Sequence, residues 1–262
     1  MDNVNKTLYI PLYGKAYVSR KGIILHDAKA EEIWSLEGFL LKGKSKSKWL
    51  AYYMGMRSAV FDRWTAEQIR ENPGAVVLHI GCGMDNRVDR VAAEETLWYD
   101  VDFPEVIAQR KKHYQETETY KMYAADARDP AWLENIPAHT AIVILEGISM
   151  YLRPEELAGL FAALHRRFAK VVLLMDCYTT FAAKASKYKN PINDVGVTQV
   201  YGLDDPKALE ETGFRFVAEK EITPEDLIQQ LQGLEQTIFR KLYAGKTARK
   251  LYRMYAFSGG TP

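Results

Sequence analysis

The sequence has little cysteine, almost no net charge and no long apolar run, and each shortage excludes a class of protein. Two cysteines, Cys82 and Cys177, are too few for a disulfide scaffold, so we expect free thiols and a cytoplasmic location. A formal net charge of +1 gives no field that would attract nucleic acid or an anionic membrane, and we expect neither as a partner. The apolar runs stay short of the roughly 20 residues that cross a bilayer, and the polar N-terminus predicts no secretion signal.

Histidine is also scarce, and its positions do not resemble a metal site. The five histidines have no ligand spacing among them, so we expect no bound metal: His26, His79, His113, His139 and His165. His79 lies within a predicted strand, where a hydrogen-bonded core or edge side chain is the expected role.

The order of apolar patterns predicts an α/β fold with a mostly parallel, seven-stranded sheet. Strands are predicted at 75–80, 96–101, 121–124, 140–145, 171–176, 215–220 and 253–257. A helix is predicted over 153–168 and another over 223–244, the latter with an inward-facing stripe of Leu227, Leu231, Leu234, Ile238 and Leu242. Residues 28–38 and 48–71 also read as helices. We predict one domain over 1–262, with a helical cap over 1–72 and a core over 73–262 that carries a helical insertion at about 223–250.

The first predicted strand breaks at Gly81-Cys82-Gly83, but the third glycine typical of a dinucleotide site is missing. Asn86 stands in its place, where we expect a side chain to crowd a pyrophosphate. Asp102 follows the second strand, and an acid at this distance from the glycine turn can accept hydrogen bonds from two ribose hydroxyls. The pattern favours S-adenosylmethionine, which has no phosphate. A nucleotide-dependent oxidoreductase and a non-catalytic nucleoside-binding module remain alternatives.

Further charged residues suit the amino-acid end of such a cofactor. Asp126 and Glu146 follow the third and fourth predicted strands, at the edge where ligands bind, and acids there suit a sulfonium and an ammonium group. The cofactor carboxylate requires a cation, and Arg57 is the candidate. A surface pair between Arg57 and Asp62 is the alternative.

Five motifs in order resemble a known family: MGMRSAVFD, VVLHIGCGMDNR, WYDVDFPEVI, AADARD and ILEGISMYL. They resemble the leucine carboxyl methyltransferase and polyketide O-methyltransferase family, whose members have the Rossmann-like fold of class I S-adenosylmethionine-dependent methyltransferases with helices on both faces of the sheet. The resemblance implies the following cofactor-binding roles: Arg57 at the carboxylate, Gly81 with Cys82 and Gly83 along the methionine portion, Asp102 at the ribose, Phe103, Asp126 and Ala127 at the adenine, and Glu146 at the amino end, with Lys15 as a closing residue from the cap.

The acceptor substrate is not implied, because residues 176–205 do not match the leucine carboxyl methyltransferases. We expect O-methylation of a small-molecule hydroxyl or carboxylate by a monomer or homodimer, with no catalytic residue assigned. Candidates near the acceptor are Tyr151, as a wall of the pocket, and Tyr178, Lys189, Asn190 and Asp194. A basic pocket lining would indicate a carboxylate acceptor, and an aromatic lining a phenol or polyketide.

Overall fold

The chain folds into a seven-stranded sheet with helices on both faces. The computed structural model describes residues 8–36, 46–137, 139–186 and 199–261. The strands are β1 (Val76–Ile80), β2 (Trp98–Asp102), β3 (Tyr120–Ala124), β4 (Thr140–Leu145), β5 (Lys170–Tyr178), β6 (Arg215–Glu219) and β7 (Tyr252–Gly259). The helices are α1 (Tyr9–Arg20), α2 (Ala28–Leu36), α3 (Lys48–Glu71), α4 (Arg87–Arg90), α5 (Pro104–Arg110), α6 (Pro154–Arg167), α7 (Thr180–Ala185), α8 (Glu225–Ile228), α9 (Gly233–Leu242) and α10 (Gly245–Arg249).

The strand order places a ligand crevice between β1 and β4. The order is β3-β2-β1-β4-β5-β7-β6, in which β7 alone runs antiparallel to its neighbours β5 and β6. Chain connections leave β1 in one direction towards β3 and β4 in the other towards β6, so the switch point lies between β1 and β4. The predicted α/β fold and the predicted strands are confirmed, with boundaries shifted by one or two residues.

Alternating residues of the central strands pack into two separate hydrophobic cores. On one face, Val77 of β1 and Ile142 of β4 pack with the helices that precede the sheet. On the other face, Leu78 and Val143 pack with the apolar stripe of α6. This period of two accounts for the continuous apolar runs in the sequence, because both faces of the strands are covered.

The N-terminal helices share their core with the sheet. Phe61 and Trp64 of α3 belong to the same buried cluster as Val77, and α3 packs on β4 and β5. Helix α1 had not been predicted. Residues 37–38, the end of the helix predicted at 28–38, lie outside the described residues, as do Lys189, Asn190 and Asp194. None of the described helices has the length and apolar character required to span a membrane.

The single helix predicted over 223–244 is wrong, because the chain breaks into α8 and α9. Gly233 has a φ of +54°, in the left-handed region that glycine tolerates best, and this break rotates the buried face of α9. Leu227 and Leu231 are buried as predicted, but Leu234 and the next two residues of the predicted stripe are exposed, namely Ile238 and Leu242. Phe239 is buried in their place.

Truncating the residue that α9 buries tests this rotation. Phe239 packs against the rings of Tyr52 and Tyr243, so we expect Phe239→Ala to lower the free energy of unfolding by about 3–5 kcal/mol through the cavity it leaves. Leu234→Ala on the exposed face should change it by no more than about 0.5 kcal/mol. Urea denaturation measures both, and equal losses in the two variants would contradict the break at Gly233.

Candidate cofactor and acceptor site

The glycine turn after β1 lines the crevice with bare backbone. Gly81 has a φ of +73° and Gly83 a φ of +51°, and the Gly81 N–H donates to the Val101 carbonyl at 2.7 Å. A Cβ on Gly81 would lie 2.8 Å from Cδ1 of Ile148, in the loop after β4. Both the conformation and the space therefore require glycine, and a bare backbone faces the crevice.

Asp102 ends β2 with its carboxylate fixed by the same turn. One oxygen accepts the Gly83 N–H and the other the Phe103 N–H, each at 2.8 Å. A carboxylate has about four lone-pair positions, so each oxygen retains capacity for one further donor. Burial raises the pKa of Asp102, although the two backbone N–H groups oppose this effect. The arrangement suits two neighbouring hydroxyls of a ribose.

Glu146 ends β4 on the other side of the switch point and lies between two arginines. It accepts from Nε of Arg57 at 3.0 Å and forms a short contact with Nη2 of Arg87. Burial raises the pKa of Glu146, but the guanidinium groups of Arg87 and Arg57 outweigh burial and lower it to about 2. The carboxylate is therefore ionised at neutral pH.

A second buried acid, Asp85, forms ion pairs with three cations. Asp85 lies 2.8 Å from Nζ of Lys15, 2.8 Å from Nη1 of Arg90 and 3.1 Å from Nη1 of Arg87. Burial raises the pKa of Asp85, but these cations, Arg90 first, outweigh burial and hold it well below its usual range. Lys15 thus lines the cavity from α1 and binds Asp85, and its role as a closing residue stays a prediction.

Arg57 spans the crevice from α3 to β5. Its Nη1 donates to Asp176 and to the hydroxyl of Tyr252, both at 3.0 Å, in addition to the contact with Glu146. No hydrogen bond from Nη2 to another described residue is present, and Nη2 lies 3.3 Å from a Cβ placed on Gly147. The alternative pair of Arg57 with Asp62 is wrong, because Arg87 and Arg90 bind Asp62.

Asp176 also ties the loop after β4 to β5. Its Oδ1 accepts the Gly147 N–H at 2.6 Å, and its carbonyl accepts the hydroxyl of Ser149 in a short hydrogen bond. Further along, the carbonyl of Met150 accepts the N–H of Tyr201 at 2.8 Å. The loop is therefore held at three points.

His79 is a hydrogen-bonded core residue, as expected. Its ring nitrogens lie 3.2 Å from Asp100 and 3.3 Å from Nη1 of Arg87. Asp100 in turn binds Arg110. Cys82 and Cys177 are free, and burial raises the pKa of the Cys82 thiol, which keeps it protonated. Cys82 is thus a small neutral residue beside the turn.

The predicted adenine end is arranged differently from expectation. Asp126 binds Arg128 through both carboxylate oxygens, at 2.6 Å to Nη2, and Arg128 lies over the ring of Phe103, 5.6 Å from its centre. Phe103, Asp126, Ala127 and Arg128 all line the crevice. An adenine amine would therefore share the Asp126 carboxylate with Arg128.

A cavity of about 1170 Å³ joins these residues to an aromatic compartment. All nine predicted cofactor residues line it: Arg57, Gly81, Cys82, Gly83, Asp102, Phe103, Asp126, Ala127 and Glu146. Six aromatic residues line this cavity from α3, α9 and the strand ends of β4, β5 and β7, and we call this part of the lining the aromatic compartment: Trp49, Tyr53, Tyr151, Tyr178, Tyr243 and Tyr252. The volume exceeds the roughly 300–1000 Å³ of a usual small-molecule site, so the cavity has room for two ligands.

Comparison with known proteins agrees with this geometry. The sequence profile named leucine carboxyl methyltransferase matches residues 13–165, more than half of the chain. The chain belongs to the leucine carboxyl methyltransferase family. It is an S-adenosylmethionine-dependent methyltransferase.

Curated relatives of this methyltransferase cover most of its length. The tetracenomycin polyketide synthesis O-methyltransferase TcmP of Streptomyces glaucescens is 28% identical over 221 residues, 82% of each chain. The S-adenosyl-L-methionine-dependent methyltransferase dpfgK of Gibberella zeae is 27% identical over 234 residues, 80% of this chain and 78% of the relative. The magnesium protoporphyrin IX methyltransferase ChlM of Synechocystis, solved with S-adenosylhomocysteine, shares the fold with a TM-score of 0.50 at 13% identity, over 87% of this chain and 97% of that one.

Sequence reasoning about this methyltransferase missed most of its buried charges. Asp85 and Arg87 lie in the motif VVLHIGCGMDNR and Arg90 lies three residues beyond it, but none of them had an assigned role. The signal available was their spacing, since Arg87 and Arg90 lie three residues apart and share one helix face. The expectation that Asn86 crowds a pyrophosphate is wrong, because Asn86 lines a separate hollow beside α2 and not the main cavity. Asp85, which does line the cavity, contributes a carboxylate there.

The low pKa of Glu146 predicts a specific loss of stability in acid. A carboxyl whose pKa falls on folding, here from 4.5 to about 2, stabilises the fold above its unfolded pKa and loses that contribution as the pH falls towards 2. The contribution is about 3 kcal/mol at ~1.4 kcal/mol per pH unit. We expect Glu146→Gln to flatten the pH profile of the free energy of unfolding between about pH 5 and pH 2.

Denaturant titrations across this pH range measure the effect. Glu67→Gln, at an exposed position of α3, is the matched control and should retain the wild-type profile. A wild-type profile in Glu146→Gln as well would show that the two arginines do not hold this carboxylate ionised.

Proposed function

We propose that this methyltransferase transfers the methyl group to a hydroxyl oxygen of an aromatic small molecule. The observation that carries the proposal is the set of six aromatic residues in the aromatic compartment. The cations that line the same cavity, Lys15, Arg57 and Arg128, each bind an acid of the chain. A carboxylate acceptor would require a cation to replace one of these partners, whereas a flat apolar ring fits the walls directly.

The nine predicted residues divide the cavity by chemistry. We assign Asp102 to the ribose and Phe103 to the adenine, with Asp126 and Ala127 beside it. Gly81, Cys82 and Gly83 follow the methionine chain, and Glu146 accepts from the ammonium group. Arg57 contributes Nη2 to the cofactor carboxylate, since its other nitrogens are already bound. The bare turn at Gly81 and the remaining acceptor capacity of Asp102 fit this cofactor.

Alignment and exclusion of water are the main contributions of the protein to the reaction. When bound, S-adenosylmethionine would supply an activated methyl on a sulfonium for transfer to a lone pair of the acceptor oxygen, with the C–S electron pair returning to sulfur. The aromatic walls hold the acceptor in line and keep competing water out. Glu146 and Asp85 remain ionised and fixed by their arginines, which gives the cationic end of the cofactor a stable anionic surrounding.

The relative TcmP is named for O-methylation in polyketide synthesis, which agrees with a phenolic acceptor. We further propose that the acceptor is a small molecule rather than nucleic acid, and that the chain forms one domain with a helical cap over 1–72. A cytoplasmic location and a monomeric or homodimeric state stay predictions.

A matched pair of acceptors tests the proposed acceptor class. β-Naphthol and β-naphthoic acid share one ring system and differ in presenting a hydroxyl or a carboxylate. With S-adenosylmethionine present, we expect S-adenosylhomocysteine to form with β-naphthol and not with β-naphthoic acid, as measured by chromatography. Turnover of β-naphthoic acid but not of β-naphthol would contradict the proposal and indicate a carboxylate acceptor.

Asp102→Asn tests the ribose assignment. The amide replaces one acceptor oxygen by a donor, so cofactor affinity should fall by about 1.5–3 kcal/mol for a lost hydrogen bond to a charged group. Calorimetry with S-adenosylhomocysteine measures the change. Asp89→Asn, an exposed residue of α4, provides the same chemical change outside the cavity and should bind as the wild type does. Unchanged affinity in Asp102→Asn would place the ribose elsewhere.

A further inference from the structure

One polar atom in the aromatic compartment has no partner. The hydroxyl of Tyr53 is screened from solvent and makes no hydrogen bond to the described part of the chain. A buried hydroxyl without a partner is costly, and native structures satisfy the great majority of such groups. An orphan in the wall of a ligand cavity is therefore a group whose partner can be the ligand.

The position of Tyr53 along α3 places it on the acceptor side. Trp49, Tyr53 and Arg57 are spaced by four residues, so they share one helix face, and all three line the cavity. Arg57 lies at the cofactor end, bound to Glu146 of β4. Tyr53 is one turn further out, towards the aromatic compartment.

The aromatic surroundings of Tyr53 belong to β5 and β7. The rings of Tyr53 and Tyr252 are 6.1 Å apart and meet edge to face, and the rings of Tyr252 and Tyr178 are 5.0 Å apart. Tyr178 ends β5 and Tyr252 begins β7, which lie two and three strand positions beyond β1. The Tyr53 hydroxyl is screened from solvent, so contact with an acceptor ring between these walls requires the Tyr53 side chain to turn towards the cavity.

Charge determines the direction of the hydrogen bond. Burial raises the pKa of Tyr53, and Arg57 opposes this effect only in part. The phenol therefore keeps its proton at neutral pH and acts as a donor. A donor cannot deprotonate the acceptor, but it can stabilise the acceptor as an oxyanion.

Resting on the proposed function, we propose that Tyr53 donates a hydrogen bond to the acceptor oxygen and selects acceptors that bind as phenolates. The acceptor releases its proton to solvent before transfer, and one lone pair of its oxygen attacks the methyl group while another accepts the Tyr53 hydrogen bond. Tyr53 keeps its proton throughout. The Tyr53 hydroxyl, which has no hydrogen-bond partner in the described part of the chain, gains one when the acceptor binds.

Titration of a bound chromophore measures this contact directly. Para-nitrophenol absorbs differently as phenol and phenolate, so its apparent pKa can be read in the complex of the full chain with S-adenosylhomocysteine. We expect the apparent pKa of the bound probe to be about 1–2 pH units higher in Tyr53→Phe than in the wild type. For β-naphthol, kcat/KM should fall by roughly tenfold to a hundredfold.

The control removes the same atom outside the cavity. Tyr99 lies on β2 and does not line the compartment, so Tyr99→Phe should titrate the bound probe as the wild type does. Unchanged affinity of Tyr53→Phe for S-adenosylhomocysteine shows that the variant folds and that the cofactor end is intact.

Two results would overturn the proposal, and they differ in what else they overturn. Equal apparent pKa values of the bound probe in wild type and Tyr53→Phe would remove the role of Tyr53 but leave the aromatic acceptor class in place. Absence of probe binding by the wild-type complex would contradict the acceptor class itself, and the role of Tyr53 with it.

Discussion

The requirement that a buried charge be paired governs the architecture of this methyltransferase. Arg87 is fully buried, and it holds Asp85 and Glu146 on the sheet side while it binds Asp62 of α3. Removing one member of such a set leaves another charge uncompensated in a medium of low polarity, which costs far more than the pair contributes. The glycine turn, α3 and the end of β4 are consequently held in one arrangement, and the cofactor crevice is the space that this arrangement leaves open.

The network also explains which parts of the structure could be predicted from the sequence. Strands covered on both faces read as uninterrupted apolar runs, so β1, β4 and β5 were predictable, as were the glycine turn after β1 and Glu146 after β4. The partners of Arg57 were not, because Asp176 and Tyr252 come from strands more than a hundred residues further along the chain. Pairing at such separation depends on the order of strands in the sheet, which local patterns do not contain.

Two errors have a common physical origin. An apolar stripe over 223–244 indicated one helix, yet a left-handed glycine interrupted it and exposed Leu234. Asn86 was expected to crowd a pyrophosphate, yet it lines the hollow beside α2. In both cases the residue type was informative, but the direction of the side chain depended on the local backbone, which composition does not determine. The conclusion about the cofactor nevertheless holds, because it depended on Asp102 and the glycine turn as well.

The tether of the loop after β4 has a consequence for how this enzyme can diversify. Gly147, Ser149 and Met150 are all anchored, so the loop after β4 forms a fixed wall of the cavity. Adaptation to a bulkier or slimmer acceptor is then left to other parts of the lining, such as Trp49 and Leu242. Relatives with different acceptors should accordingly share this wall and differ along α3 and α9.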